Sequence, residues 1–341
     1  MKVLVVTPIY PTCSNPVMGT FVRTQIEYLK RAGIEVELLL LRGRIQKLVY
    51  LQAPFELRRR LSGSSIDLIH AHYGYAGIIA RTQWQVPVVV SFCGDDLLGT
   101  VNADGRQTLL GKFAVASSRF LSAHVDAVIV KSKQMGCKIK RRDVHVIPNE
   151  VDLDVFRPME KMQARTALGL DVSKKYLLFA ANPQIPVKRF PLAKSVADKL
   201  NSDYDSVELL TVYKEPQARL ALYMNACDAL LFTSYQEGSP NIVKQAMACN
   251  LPIISTDVGD VREIMGDTKG CYVCDPVANE FAAAVSQCLR TGLRTQGYQS
   301  LRHLAGPLVA QRVIAVYEHV LKNRQRPLSN HSEGKALAAR I

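Results

Sequence analysis

Short apolar runs alternate with amphipathic stretches along most of this chain, and the alternation occurs in two consecutive series. The first series of runs is Lys2–Thr7, Ile34–Leu41, Ile66–Ala71, Val86–Phe92, Val125–Val130 and Val144–Ile147. These runs are rich in Val, Ile and Leu, as strands covered on both faces are. Between them apolar residues recur at helical spacing, as in Val22, Ile26 and Leu29, with Gly33 as the stop. The second series is Tyr176–Ala181, Val207–Val212, Ala229–Phe232, Pro252–Thr256 and Cys271–Val273. This rhythm predicts an α/β fold of two Rossmann-like domains facing a cleft, with ligands outside the carboxyl ends of the strands. A Pro148-Asn-Glu-Val-Asp152 stretch and then Arg157-Pro158 place the boundary near residue 155.

The length of 341 residues suits two domains of roughly 150 each. No apolar run approaches the roughly 20 residues of a spanning helix, and the N-terminus lacks a signal-peptide core, so a cytoplasmic protein is expected. Eight cysteines are scattered; the close pair Cys271 and Cys274 has no second pair or histidine cluster near it. Reduced thiols are expected and no metal. The net charge is +13, with basic residues gathered in Arg42, Arg44, Lys47, Arg58, Arg59 and Arg60 and again in Lys131, Lys133, Lys138, Lys140, Arg141 and Arg142. Such surfaces attract anionic lipid, phosphorylated substrates or nucleic acid, or are simply solvated. No nucleic-acid-binding signature accompanies the charge, so no nucleic-acid partner is expected.

The most informative segment runs from Thr233 to Pro252. Glu237 falls in the loop between the strand Ala229–Phe232 and a helix. Ser239 is the expected N-cap, with Pro240 at the first helical position. Ile242, Val243, Ala246 and Met247 form the buried stripe. Asn250 ends the helix in the left-handed conformation and Pro252 forbids continuation. The free N–H groups of Ser239 to Ile242 suit an anion or sugar hydroxyls. Asn241 and Gln245 lie four apart on one face. Taken alone, Glu237 reads more readily as a solvated loop carboxylate.

This segment resembles the donor-binding signature of glycosyltransferase family 4, retaining enzymes of the GT-B fold. The resemblance implies that Glu237 contacts the donor sugar and that Gln245 stands where a second glutamate binds the nucleotide ribose. Asn250 replaces the usual glycine. Other stretches match in order: Pro8-Ile-Tyr-Pro11 with Gly19, which lets the backbone approach the diphosphate; His145 to Asp152; Lys188, the phosphate-binding lysine; and Ser255 to Asp260. The family's arginine before the lysine is absent, with Pro183 at that position, and Arg189 is the expected substitute. Cys93 stands where a histidine often lies near the reacting sugar; either His72 takes part of that role or the backbone suffices. Asp96 matches the aspartate of the same pattern, with helix capping as its plainer role. His70 and His72 share one strand face, which suits a metal pair, but no third ligand has fitting spacing.

The resemblance implies residues 1–155 as an acceptor domain and 156–305 as a nucleotide-sugar domain. A helix at 306–322 is expected to cross back to the first domain, and the composition of 323–341 predicts a disordered tail. It implies a retaining glycosyltransferase that moves a sugar from a nucleotide-diphosphate sugar to a glycan or lipid-linked acceptor in bacterial surface polysaccharide assembly. No cofactor is needed. Such an enzyme would be cytoplasmic, with the inner face of the plasma membrane as a peripheral site. The alternative is a non-catalytic GT-B scaffold or carbohydrate-binding protein.

Overall fold

The computed structural model describes residues 1–13, 15–41, 49–63, 65–201 and 207–325. Eleven strands appear among them, one for each run named above. The first sheet holds β1 (Lys2–Thr7), β2 (Glu35–Leu40), β3 (Leu68–His72), β4 (Val88–Ser91), β5 (Ala127–Val130) and β6 (Val144–Val146), in the order β2-β1-β3-β4-β5-β6. The second holds β7 (Lys175–Phe179), β8 (Val207–Thr211), β9 (Ala229–Phe232), β10 (Ile253–Ser255) and β11 (Cys271–Val273), in the order β11-β10-β9-β7-β8. Neighbouring strands are parallel throughout. All strand carboxyl ends of a sheet therefore lie along one edge, where the loops converge.

Alternate residues of the first sheet feed two cores. Val3 and Val5 pack with Val22, Ile26 and Leu29 of the helix Thr20–Arg31 and with Val313 and Tyr317 of the helix Gly306–Gln325. Leu4 and Val6 pack on the other face with Ala53 and Leu57 of the helix Val49–Gly63, Ala76 and Ile79 of Gly74–Ala80, and Leu121 of Leu109–Ser122.

The long C-terminal helix crosses from the second domain onto the first. At its start, a Cβ on Gly306 would stand 2.0 Å from the Tyr28 ring, so only glycine permits this approach. Tyr317 Oη meets His70 Nδ1 at 2.6 Å inside the first domain, and Arg324 donates to the carbonyls of Trp84 and Gln85. This helix runs three residues beyond the expected end at 322, because Arg324 has those acceptors to hold it; residues 326–341 of the expected tail lie outside the described residues.

The second basic stretch is not one patch. Lys131 is buried, Lys133 pairs with Glu263 at 3.2 Å, and Arg141 is bound by Asp143 and the carbonyls of Ser122, Val125 and Asp126. Lys138, Lys140 and Arg142 remain exposed. In the first stretch Arg58 and Arg59 are exposed, Arg60 is bound to Glu56 and the Leu38 carbonyl, and Arg42, Arg44 and Lys47 lie outside the described residues.

Candidate active site

The loop after β9 is fixed from three sides. Thr233 Oγ1 donates to the Lys188 carbonyl at 2.8 Å, and Tyr235 N donates to the Val187 carbonyl at 2.9 Å. Thr256 Oγ1 donates to the Ser234 carbonyl at 2.7 Å. These bonds bring the short 3-10 turn Pro186–Lys188 against the loop, and Lys188 Nζ lies 2.5 Å from Glu237 Oε1. Ser234 Oγ donates to the same oxygen at 3.0 Å. Gly259 is required here: its φ is +62°, and a Cβ would meet the Glu237 carbonyl at 2.9 Å.

The helix after the loop begins one residue later than expected, at Asn241, and runs to Ala248. Pro240 is the capping residue, with extended backbone. Ser239 is not the cap, because its hydroxyl donates to Asp260 Oδ2 at 2.6 Å and accepts from Lys244 Nζ at 3.2 Å. Asn250 has φ +55°, as expected at this helix end, and its Oδ1 accepts from Tyr298 N at 2.8 Å.

A cavity of about 320 Å³ lies between the two sheets' carboxyl edges. Phe21, Cys93 and Asn149 line it from the first domain; Asn182, Lys188, Glu237 and Ser239 to Ile242 line it from the second. Among its described lining residues Glu237 is the sole carboxylate. A second cavity of about 270 Å³ shares Ala180, Asn241 and Ile242 with it and reaches Gln245, Thr20, Tyr213 and Lys214. Asn241 and Gln245 do share a face, and that face looks into this second space. A larger groove of about 1230 Å³ lies elsewhere on the second domain, between Glu263–Tyr272 and the segment 287–303. None of the expected site residues lines it.

Four expected residues line neither of these two cavities. Arg189, with φ +53°, places its guanidinium 4.5 Å above the Tyr235 ring and toward the Pro276 carbonyl. It does not join Lys188 in the cavity. Asp96 is buried in the short helix Asp95–Leu98 and accepts from the N–H groups of Cys93, Gly94 and Gly74 at 2.9–3.2 Å. It thus clamps the loop after β4 to the loop after β3. Burial outweighs these donors and raises its pKa to about 6. His72 is buried against His70 (ring centroids 4.4 Å) and Phe21 (6.4 Å). Its pKa falls well below the usual value through burial. His70 uses both ring nitrogens, on Tyr317 and on Ser91 Oγ at 2.8 Å, which leaves neither for a metal. Gly19 acts one step back: its φ is +74° and a Cβ would meet the Ile9 backbone at 2.8 Å, so it sets the fold of the loop that carries Thr20 and Phe21.

Cys93 lies at the cavity wall, with Sγ 3.4 Å from the Ser91 carbonyl. Burial lifts its pKa to about 12, so it is a neutral thiol and no base at neutral pH. The first domain approaches the second closely here. A Cβ on Gly238 would lie 3.1 Å from the Cys93 carbonyl.

A buried charged group behind the cavity escaped the sequence reading. Lys244 is fully buried, and its Nζ donates to the Asn149 carbonyl at 2.9 Å as well as to Ser239. It ties the helix Asn241–Ala248 to the segment joining the domains. Burial lowers its pKa to about 8, against the pull of Asp260 and Glu150. Glu150 and Lys131 are buried nearby, the acid raised and the base lowered by desolvation. Helical periodicity gives no sign of this, because a lysine beside an apolar stripe reads as a solvated one.

Comparison with known proteins decides the family. Residues 2–150 match the model described as glycosyl transferase 4-like domain, and residues 188–291 match glycosyl transferases group 1. The chain belongs to glycosyltransferase family 4. TuaC of Bacillus subtilis, whose name places it in teichuronic acid biosynthesis as a glycosyltransferase, is 24% identical over 84% of this chain and 89% of its own. Sucrose-phosphate synthase from Thermosynechococcus elongatus superimposes with a TM-score of 0.71 at 17% identity, over 99% of each chain. HepE of Anabaena, solved with UDP-glucose, gives 0.63 at 15% identity over 95% of this chain and 99% of that one. This glycosyltransferase therefore has the GT-B fold expected, and its cavity lies at the GT-B cleft.

Proposed function

We propose that this glycosyltransferase moves a sugar from a nucleotide-diphosphate sugar, with retention, to a lipid-linked glycan during assembly of a bacterial surface polysaccharide. The donor lies in the second domain: nucleoside in the cavity reaching Gln245, diphosphate at Lys188 and the first turn of helix Asn241–Ala248, sugar at Glu237. The acceptor enters from the first domain past Phe21 and Cys93. The observation that carries this reading is one cavity holding both Lys188 with Glu237 and a wall from the other domain.

The chemistry asks little of side chains as bases. The anomeric C–O bond to the diphosphate breaks, and negative charge grows on the leaving phosphate. Lys188 and the unpaired N–H groups of a helix start stabilise that charge. With Glu237 turned to the sugar hydroxyls and Cys93 a neutral thiol, the acceptor oxygen bonds to the anomeric carbon and its proton passes to the leaving phosphate oxygen on the same face. Asp96 serves as a clamp and His72 supports Phe21; neither is given a chemical step.

The name of TuaC supports a polysaccharide acceptor, and the bound UDP-glucose of HepE supports a nucleotide-sugar donor. The test is incubation of the purified protein with labelled nucleotide sugars and a bacterial lipid extract. Label should pass to a lipid-soluble product with the donor's anomeric configuration, read by NMR. Inverted product contradicts retention, and label confined to water-soluble product contradicts the lipid acceptor.

A further inference from the structure

The first domain carries an apolar outer surface that its fold does not use. The helices Val49–Gly63, Gly74–Ala80 and Leu109–Ser122 lie side by side over one face of the first sheet. Their inward residues form the core below them. Outward, Leu51 and Phe55 are 72% and 71% exposed, and Leu109, Leu110, Phe113 and Phe120 are 70–83% exposed. Tyr75 and Ile78 of the middle helix are nearly half exposed between them. Phe113 and Phe120 are seven residues apart and so share one helix face with Leu109. Large apolar side chains exposed on three neighbouring helices of one face mark an interaction site.

On the three helices themselves the charge left without an ion-pair partner is of one sign. Helix Leu109–Ser122 carries exposed Lys112 and Arg119 and no acid; Gly74–Ala80 carries no charge at all. In Val49–Gly63 the one acid, Glu56, is taken by Arg59 at 2.7 Å and Arg60 at 2.9 Å, while Arg58 remains exposed. The surface also reaches the cleft. Gly111 packs on Thr100, and the loop containing Thr100 touches the second domain through Tyr235 Oη on the Ala103 carbonyl (3.4 Å) and Gln236 on the Gly99 carbonyl.

We infer that this three-helix face docks on an anionic lipid bilayer, with Leu109, Leu110, Phe113 and Phe120 entering the headgroup region and Arg58, Lys112 and Arg119 meeting lipid phosphates. Exposed apolar residues flanked by unopposed cations are the pattern of an in-plane membrane contact. The inference deepens the lipid-linked acceptor reading, on which it rests, by naming the surface that holds the cleft rim against the lipid. Trp84 is the one tryptophan of the chain; it is 61% exposed and follows the middle helix by four residues.

The experiment uses the full chain with vesicles of phosphatidylglycerol and phosphatidylethanolamine, and with phosphatidylcholine vesicles as the neutral control. The protein should sediment with the anionic vesicles alone. Trp84 emission should shift to the blue and be quenched by lipids brominated in the acyl chains. A Phe113→Ser, Phe120→Ser double variant should partition about tenfold less or weaker still. Its melting curve and its hydrolysis of nucleotide sugar without vesicles should match the wild type. Wild-type partitioning of the double variant overturns the proposal in favour of charge alone. A concentration-dependent dimer that the double variant loses, with no vesicle binding, overturns it in favour of a second copy of the chain. Turnover without vesicles tests glycosyl transfer separately, so its loss would sink that reading and leave vesicle binding to stand or fall on its own.

Discussion

Lys188 Nζ lies 2.5 Å from Glu237 Oε1, so the lysine assigned to donor phosphate is neutralised by the carboxylate assigned to donor sugar. A diphosphate arriving at Lys188 competes with Glu237 for it. Once displaced, the carboxylate is free to accept from sugar hydroxyls. On the proposed assignment, donor binding and orientation of Glu237 are one event.

Glu237→Gln follows directly. Lys188 loses its competing charge, so nucleoside diphosphates should bind about two- to fivefold more tightly by calorimetry, the scale of a partly exposed ion pair. Sugar transfer should fall by about 100- to 1000-fold, the usual cost of losing one polar contact made to a transition state. Transfer at the wild-type rate would remove Glu237 from the site.

Lys188→Ala removes a charged contact to phosphate worth roughly 1.5–3 kcal/mol, about 10- to 100-fold in affinity. The loss should appear with nucleoside diphosphates and be absent with nucleosides. Equal loss for both ligands would place Lys188 at the ribose or implicate misfolding.

Gln245 lines the cavity assigned to the nucleoside, where a carboxylate accepts from two ribose hydroxyls and an amide through one oxygen. Gln245→Glu should tighten ribonucleoside diphosphates by roughly tenfold. Their 2′,3′-dideoxy counterparts should gain nothing. A gain shared by both would move the ribose elsewhere.

Asp96→Asn tests the clamp. An amide cannot accept from three backbone N–H groups without presenting its own donors to them, which costs roughly 1–3 kcal/mol in unfolding free energy. The pH dependence has a definite sign. The folded-state value of about 6 stands above the ordinary 3.8, so Asp96 adds stability below pH 3.8 that is lost as pH rises through about 6. Denaturant unfolding should show this slope in the wild type and lack it in Asp96→Asn.

Much of the fold was legible because parallel strands covered on both faces are mostly apolar runs; Glu37 of β2 and Glu208 of β8 interrupt theirs on edge strands. Glu237 was legible from its place in the loop after a strand, whereas Lys188 and Cys93 were legible through the resemblance to the family. What a linear pattern could not show was who claims each polar atom. Ser239 reads as a cap until Asp260, 21 residues away, takes its hydroxyl. Arg189 reads as a phosphate ligand until its left-handed backbone turns it onto Tyr235. Lys131 and Lys244 read as surface charge, yet their burial depends on Glu150 and Asp260, which only the tertiary fold brings near. His72 reads as an active-site group, and the fold places it behind Phe21.

The central claim is that the cavity between Phe21 and Lys188 binds a nucleotide-diphosphate sugar. Calorimetric titration of the wild type and Lys188→Ala with a panel of uridine, guanosine, adenosine and cytidine diphosphates and their sugars tests it most directly. The account predicts saturable one-to-one binding of one nucleotide series by the wild type, weakened about 10- to 100-fold in Lys188→Ala. No heat from any member, or binding that Lys188→Ala leaves unchanged, would contradict it.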